Sequence, residues 1–194
     1  MKQPQRNIAE DILGKGRTQS INQKRKGNTN EREAAKALQE WTGEEFVRVP
    51  QSGGIRWKNS ENVTGDIMCT KRSFKFPFSV ETKHLKSLAF VKTLENKETL
   101  RANSQIFTYW SQAESDAKRA GKAPLMLIRC NGMAKGVFYL FIPAAFRMYV
   151  ACAMKNPIQP VVVDNLIIGY DSAKFFACVD HKKFCTFVKK LIKS

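Results

Sequence analysis

The chain contains no run of about 18 consecutive apolar residues, which excludes a helix long enough to span a membrane. Its N-terminal stretch is polar and lacks the apolar core of a secretion signal, so the expectation is a soluble, intracellular protein. Cysteines are few and unpaired in pattern. Cys69, Cys130, Cys152, Cys178 and Cys185 form no CxxC, and an odd count argues for reduced thiols rather than a disulfide framework. Cys178, His181 and Cys185 can be drawn as metal ligands, but their spacing fits no zinc module and a half-buried helix start is the simpler reading. Acidic residues are in short supply. Against 33 Lys and Arg stand 17 Asp and Glu, leaving a net charge of +16 and a pI near 9.8. Such a surplus repels itself unless a polyanion meets it, so nucleic acid leads and an anionic membrane surface trails. Internal repeats are absent, as are a zinc finger and a clear recognition helix, so nothing reads base sequence.

What is present suffices for a folded domain. With 194 residues and 43% hydrophobic side chains, the chain can bury a core and form one α/β unit with appendages. Residues 1–26, ending in Lys24-Arg25-Lys26, read as a flexible basic arm, in which Ile8–Leu13 could form a helical turn or two. Gly27 interrupts the pattern, and Asn30 with Glu33 three residues on resembles a capping box opening a helix to about Trp41, stopped by Gly43. A strand at Phe46–Val49 ends at Pro50, a polar loop runs to Thr64, and strands are expected near 66–70 and 76–83. A helix from about Glu98 to Ala120 carries Ile106, Tyr109, Trp110, Ala113 and Ala117 at helical spacing. Pro124–Cys130 is an apolar run typical of a strand covered on both faces. Another strand at Val137–Ile142, a helix at 144–154, strands at 161–163 and 166–169, and a basic amphipathic helix at His181–Ile192 complete the chain. This order predicts an α/β fold, a mixed central sheet flanked by helices, with a core at 27–142 and a C-terminal α/β extension at 143–194 packed on it.

One group of residues carries chemistry. Side chains alternate along a strand, so Glu81 and Lys83 share a face, roughly 6.5–7 Å apart along it. Asp66 opens the neighbouring apolar strand, and pairing of the two strands brings it beside Glu81. Two hard oxygen ligands and an adjacent backbone carbonyl, that of Thr82, make half of a Mg²⁺ shell. On the helix, at about 100° per residue, Glu31 lies within roughly 20° of Leu38 on the buried face, whereas Glu33 turns out toward water. A carboxylate on the buried face is costly without a cation or partner, which makes Glu31 the third acid. Taken alone, Glu-x-Lys is very weak: an exposed ion pair on an edge strand is the better explanation of the triplet by itself.

The segments Lys26–Glu33, Val47–Gly53, Gly65-Asp66-Ile67 and Val80-Glu81-Thr82-Lys83 together resemble the PD-(D/E)XK nuclease superfamily and, within it, archaeal-type Holliday-junction resolvases. The likeness covers about residues 24–130. It implies a restriction-endonuclease-like core and metal-dependent hydrolysis of DNA phosphodiester bonds. By position, Glu31, Asp66 and Glu81 are then the metal-site acids, Lys83 the motif lysine, and Ser52 a small polar residue of a loop near the scissile phosphate. Gly65 stands where the motif has proline, and the insert between Ser52 and Asp66 is long. The implied cofactor is Mg²⁺, with Mn²⁺ able to substitute; it would polarise the phosphate and lower the pKa of a water. Lys83 would orient that water or offset transition-state charge.

A second likeness is to RecB-like and phage exonucleases, whose Q-x-x-x-Y pattern fits Gln105 to Tyr109; a packed tyrosine and an ordinary glutamine is the alternative. Arg25, Lys26, Arg48, Arg56, Lys58, Lys71, Arg72 and Lys86 are the nearest candidates for DNA phosphates. A resolvase implies branched or double-stranded DNA as partner and a homodimer, since two strands are cut in register. The setting expected is the cytoplasm of a prokaryotic or virus-infected cell, in recombination, repair or replication. A phage-type exonuclease or nicking nuclease, and a non-catalytic basic DNA-binding protein, are the competing functions.

Overall fold

The computed structural model describes residues 8–49, 64–87, 105–154, 161–163 and 167–193. The first helix, α1, runs Ile8–Thr42. It begins at Ile8, not at Asn30, so the stretch expected as a basic arm is helical over most of its length and Gly27 does not break it. The reason is that a glycine inside a helix costs only about 1 kcal/mol, and Ile8–Thr42 holds no proline. Asn30 is not a cap; it lies mid-helix and buried. The stop at Gly43 holds: its φ of 73° suits a residue without Cβ, and its N–H donates to the Gln39 carbonyl at 2.8 Å.

Among the described residues, seven strands form one mixed sheet in the order β1-β2-β3-β4-β5-β7-β6. They are β1 (Phe46–Arg48), β2 (Ile67–Cys69), β3 (Phe78–Leu85), β4 (Ala123–Cys130), β5 (Tyr139–Pro143), β6 (Val161–Val163) and β7 (Ile167–Asp171). The central pair, β3 and β4, is parallel, in register from Phe78↔Ala123 to Leu85↔Cys130; the other pairs are antiparallel. Phe78–Thr82 and Ala123–Ile128 are buried without interruption, as strands covered on both faces must be.

Helix α2 (Gln105–Arg119) covers one face, seating Ile106 and Trp110 on Met126, Ile128, Cys130 and Phe141. The other face is packed by α1 and by the C-terminal helices, α4 (Ser172–Cys178) and α5 (His181–Lys193). Phe184 of α5 stacks on Phe78 of β3 at 5.6 Å and meets Phe146 at 5.9 Å, so the C-terminal segment shares a core with the central strands. Trp41 closes this core, donating its Nε1–H to the Val179 carbonyl at 2.8 Å. A 3-10 turn at Ala144–Phe146 leads into α3 (Arg147–Ala153). Helix α4 has no counterpart in the sequence reading. Its start signal is Asp171, whose carboxylate accepts the Lys174 N–H at 3.0 Å as an N-cap.

Candidate active site

β2 pairs with β3 only through Ile67↔Val80, so beyond that point the β3 edge is free of β2. Asp66 lies at this fork. Its N–H donates to the Val80 carbonyl at 2.7 Å, and its own carbonyl accepts the Val49 N–H at 2.8 Å. With the backbone held on both sides, the carboxylate reaches across the fork and accepts the Thr82 N–H at 2.9 Å and the Thr82 hydroxyl at 3.2 Å. In a strand the N–H and C=O of one residue emerge on the same edge, so the Thr82 carbonyl also opens toward Asp66. The residue before it is glycine for a physical reason. Gly65 has φ +78°, and a Cβ there would lie 2.3 Å from the Val80 carbonyl oxygen. Proline, with φ locked near −65°, cannot occupy that position in this chain.

Glu81 and Lys83 point to the α2 side of β3, as alternation requires. Glu81 is 4% exposed, and its carboxylate accepts a hydrogen bond from Lys83 Nζ at 2.5 Å. The Lys83 ammonium lies 5.0 Å from the centre of the Tyr109 ring, a cation–π contact, and Gln105 donates to the Tyr109 hydroxyl at 2.8 Å. The Gln105–Tyr109 pair thus adjoins Lys83 rather than lying on a remote helix face.

Glu31 approaches from α1 and pairs with Arg48 of β1. Burial holds the Glu31 carboxyl above its ordinary value; the Arg48 hydrogen bond pulls the other way and the Asp66 charge adds to the rise. Glu81 is raised for the same reasons, burial first, then Asp66, against the pull of Lys83. The three acids therefore feel one another's charge, with Lys83 and Arg48 as the nearby cations. Glu33 corrects the helical-wheel arithmetic. It does not face water but forms an ion pair, 12% and 16% exposed, with Arg129 of β4, and accepts the Gly136 N–H at 3.3 Å.

Among the described residues no three His, Cys, Asp or Glu side chains form a ready metal cluster. Each acid of the group is turned instead onto a donor: Asp66 onto Thr82, Glu81 onto Lys83, Glu31 onto Arg48. The donor set nonetheless fits a hard divalent cation. Three carboxylates and a strand-edge carbonyl supply oxygen ligands only.

A family described as "Phage putative PDDEXK endonuclease" matches residues 22–193. The chain belongs to this family. No curated protein and no solved structure matches it. The fold agrees: an α/β unit whose mixed sheet is flanked by helices is the restriction-endonuclease-like arrangement. The family makes the chain a nuclease, and such nucleases generally use divalent metals.

The remaining sequence candidates of this PDDEXK family member fall in different places. Ser52, Arg56 and Lys58 lie outside the described residues. Arg25 and Lys26 are exposed on α1 and line a cleft with His84 and Arg129. Lys86 is exposed just past β3, and Arg72 in the turn after β2. Lys71 is drawn away into a pair with Glu44 at 2.8 Å, and Arg48 is turned onto Glu31. Cys178, His181 and Cys185 do not gather. Cys178 is exposed, His181 stands against the Trp41 ring, and Cys185 is buried with its thiol pushed up to about 12 by desolvation. Tyr109's contact with Lys83, the Glu33–Arg129 pair and the buried Asn30 are structural features that sequence reasoning missed. None had a local signal in sequence: the i, i+4 spacing of Gln105 and Tyr109 marks their own pair, not the contact with Lys83.

Proposed function

We propose that this protein is a Mg²⁺-dependent DNA endonuclease, with Mn²⁺ able to substitute, that cuts branched DNA in the manner of a Holliday-junction resolvase. The observation that carries the chemistry is the fork at β2 and β3: Asp66 fixed on Thr82 beside a buried Glu81 bonded to Lys83. Asp66, Glu81 and the Thr82 carbonyl would hold a divalent cation, which would supply neutralisation of phosphate charge and a water of lowered pKa. Glu31 serves that site as a further ligand or as a water-positioning group. Lys83 places its ammonium against the developing phosphorane charge, with the Tyr109 ring limiting where it can move. A protein that only bound DNA would have no use for carboxyls raised by burial and mutual repulsion.

The preference for branched DNA rests on the sequence likeness to archaeal-type resolvases and implies a homodimer, since paired cuts need two sites. Arg25, Lys26, Arg48, Ser52, Arg56 and Lys86 serve the phosphate backbone, in the cytoplasm of an infected cell. A specific observation favours a second reading. The Gln105–Tyr109 pair beside Lys83 matches the Q-x-x-x-Y pattern of exonuclease-type members, so end digestion or nicking is the alternative.

One experiment separates these. The protein is incubated with a four-way junction, a linear duplex and a single strand in Mg²⁺, beside Asp66→Asn and Lys83→Ala. Paired symmetric nicks confined to the junction support the resolvase, and progressive digestion from ends supports the exonuclease. Binding without any cutting sinks the nuclease reading.

A further inference from the structure

On the α1 side of the sheet lies a cleft of about 310 Å³. It is lined by Arg25, Lys26, Thr29 and Asn30 of α1, by His84 of β3 and by Arg129 of β4. This is at the small end of ligand pockets, which span roughly 300–1,000 Å³, and suits a phosphate or a single nucleotide. None of the six lining residues is acidic. Asn30 precedes Glu31 and His84 follows Lys83, so the cleft and the acids hang on the same two stretches of backbone. Alternation along β3 puts them on opposite faces: Glu81 and Lys83 toward α2, Thr82 and His84 toward α1.

Asn30 is the telling residue. It is 2% exposed, and its Oδ1 has no hydrogen-bond partner among the described residues. Buried polar groups are nearly always satisfied, because an unpaired one loses its hydration without compensation. A phosphate needs a donor there, which a half-turn about the last torsion would supply by exchanging Oδ1 for Nδ2. His84 is held by Asn131 at 3.1 Å through Nε2, leaving Nδ1 as its second polar atom. Arg129 is anchored by Glu33 and by the Met133 carbonyl at 3.3 Å, which fixes a guanidinium in the wall while part of its charge is spent. Thr29 directs its hydroxyl to the Arg25 carbonyl at 2.9 Å and adds no free donor.

We propose that the cleft is a second phosphate-binding site, taking a phosphate of the bound DNA strand on the opposite face of the sheet from the one cut at the acidic group. Arg25 and Lys26 supply charge; Asn30 and His84 supply directed hydrogen bonds. The identity of the strand rests on the nuclease reading. The phosphate chemistry stands on the cleft.

The test is fluorescence anisotropy in EDTA with the full chain and labelled strands of about a dozen nucleotides, with and without a 5′-phosphate, across a salt series. Asn30→Asp keeps the side-chain shape but puts a carboxylate in the cleft, and His84→Gln keeps a polar group without the ring. Lys26→Glu, at an exposed helix position, serves if the buried site does not tolerate change. Circular dichroism checks that each is folded. Folded variants are expected to bind about tenfold more weakly, with a salt slope shallower by about one contact. Loss confined to phosphorylated strands assigns a terminal phosphate, and equal loss on all strands assigns an internal one; both support the site. Wild-type affinity and slope in the folded variants overturn it, as does a wild-type protein that binds none of the strands. Cutting is not read here, so a failed nuclease reading shows separately, as absent cleavage in Mg²⁺ with this binding loss intact.

Discussion

Asp66 and Thr82 are bound twice, the carboxylate of one accepting both the N–H and the hydroxyl of the other. The residue separating Glu81 from Lys83 thus sets the aim of the acid on the neighbouring strand. Thr82→Val keeps the branched shape and the N–H but removes the hydroxyl. Loss of such an outer partner is expected to cost about 10–100-fold in metal affinity or activity. Calorimetric Mg²⁺ titration and cleavage rates check this, with unfolding midpoints showing that the fold survives.

Gly65 is a steric requirement. Placing a Cβ 2.3 Å from the Val80 oxygen at positive φ makes Gly65→Ala destabilising by about 2–4 kcal/mol. Gly65→Pro, which would restore the superfamily's proline, is expected to be worse because its ring fixes φ at the wrong sign. Urea unfolding of both variants measures the effect. An unchanged midpoint for Gly65→Ala would show that the fork is looser than described.

Glu31 and Glu81 set a pH dependence. Both carboxyls are raised above the ordinary value of 4.5, so without metal the folded chain holds these protons more tightly than the unfolded chain. Their contribution to stability is full below 4.5 and is lost as pH rises through the folded values. Metal-free Glu81→Gln is therefore expected to melt above wild type at neutral pH, with the gap closing on acidification. Added Mg²⁺ should raise the melting temperature of wild type more than that of the variant. Melting curves across pH, in EDTA and in Mg²⁺, read both effects.

Tyr109 contributes its ring more than its hydroxyl. The cation–π contact with Lys83 is worth roughly 0.5–2 kcal/mol, so Tyr109→Ala should slow cleavage about 2- to 30-fold. Tyr109→Phe keeps the ring, loses the Gln105 bond and should lie near wild type. Single-turnover rates distinguish the two. A larger loss in Tyr109→Phe would assign the work to the hydroxyl.

How much was legible in sequence followed the range of the forces involved. Strand alternation is local, and it put Glu81 and Lys83 on one face of β3. The central apolar run became β4 because a strand covered on both faces has to be apolar throughout. The helix start misled, because a capping-box pattern at Asn30 is a local signal and α1 runs through it from Ile8. The wheel that set Glu31 apart from Glu33 counted only the helix itself. Arg129 and Gly136, far away in sequence, fold over Glu33 and bury it. The contact of Tyr109 with Lys83 exists only once α2 docks on β3, which no window along the chain can show.

The most direct measurement is single-turnover cleavage of DNA in Mg²⁺ by wild type, Asp66→Asn and Lys83→Ala, each verified as folded and each repeated in EDTA. Wild type is expected to cut, EDTA to abolish cutting, and both variants to lose at least about a hundredfold. A variant that cuts at the wild-type rate, or wild-type cutting that survives EDTA, would contradict the account.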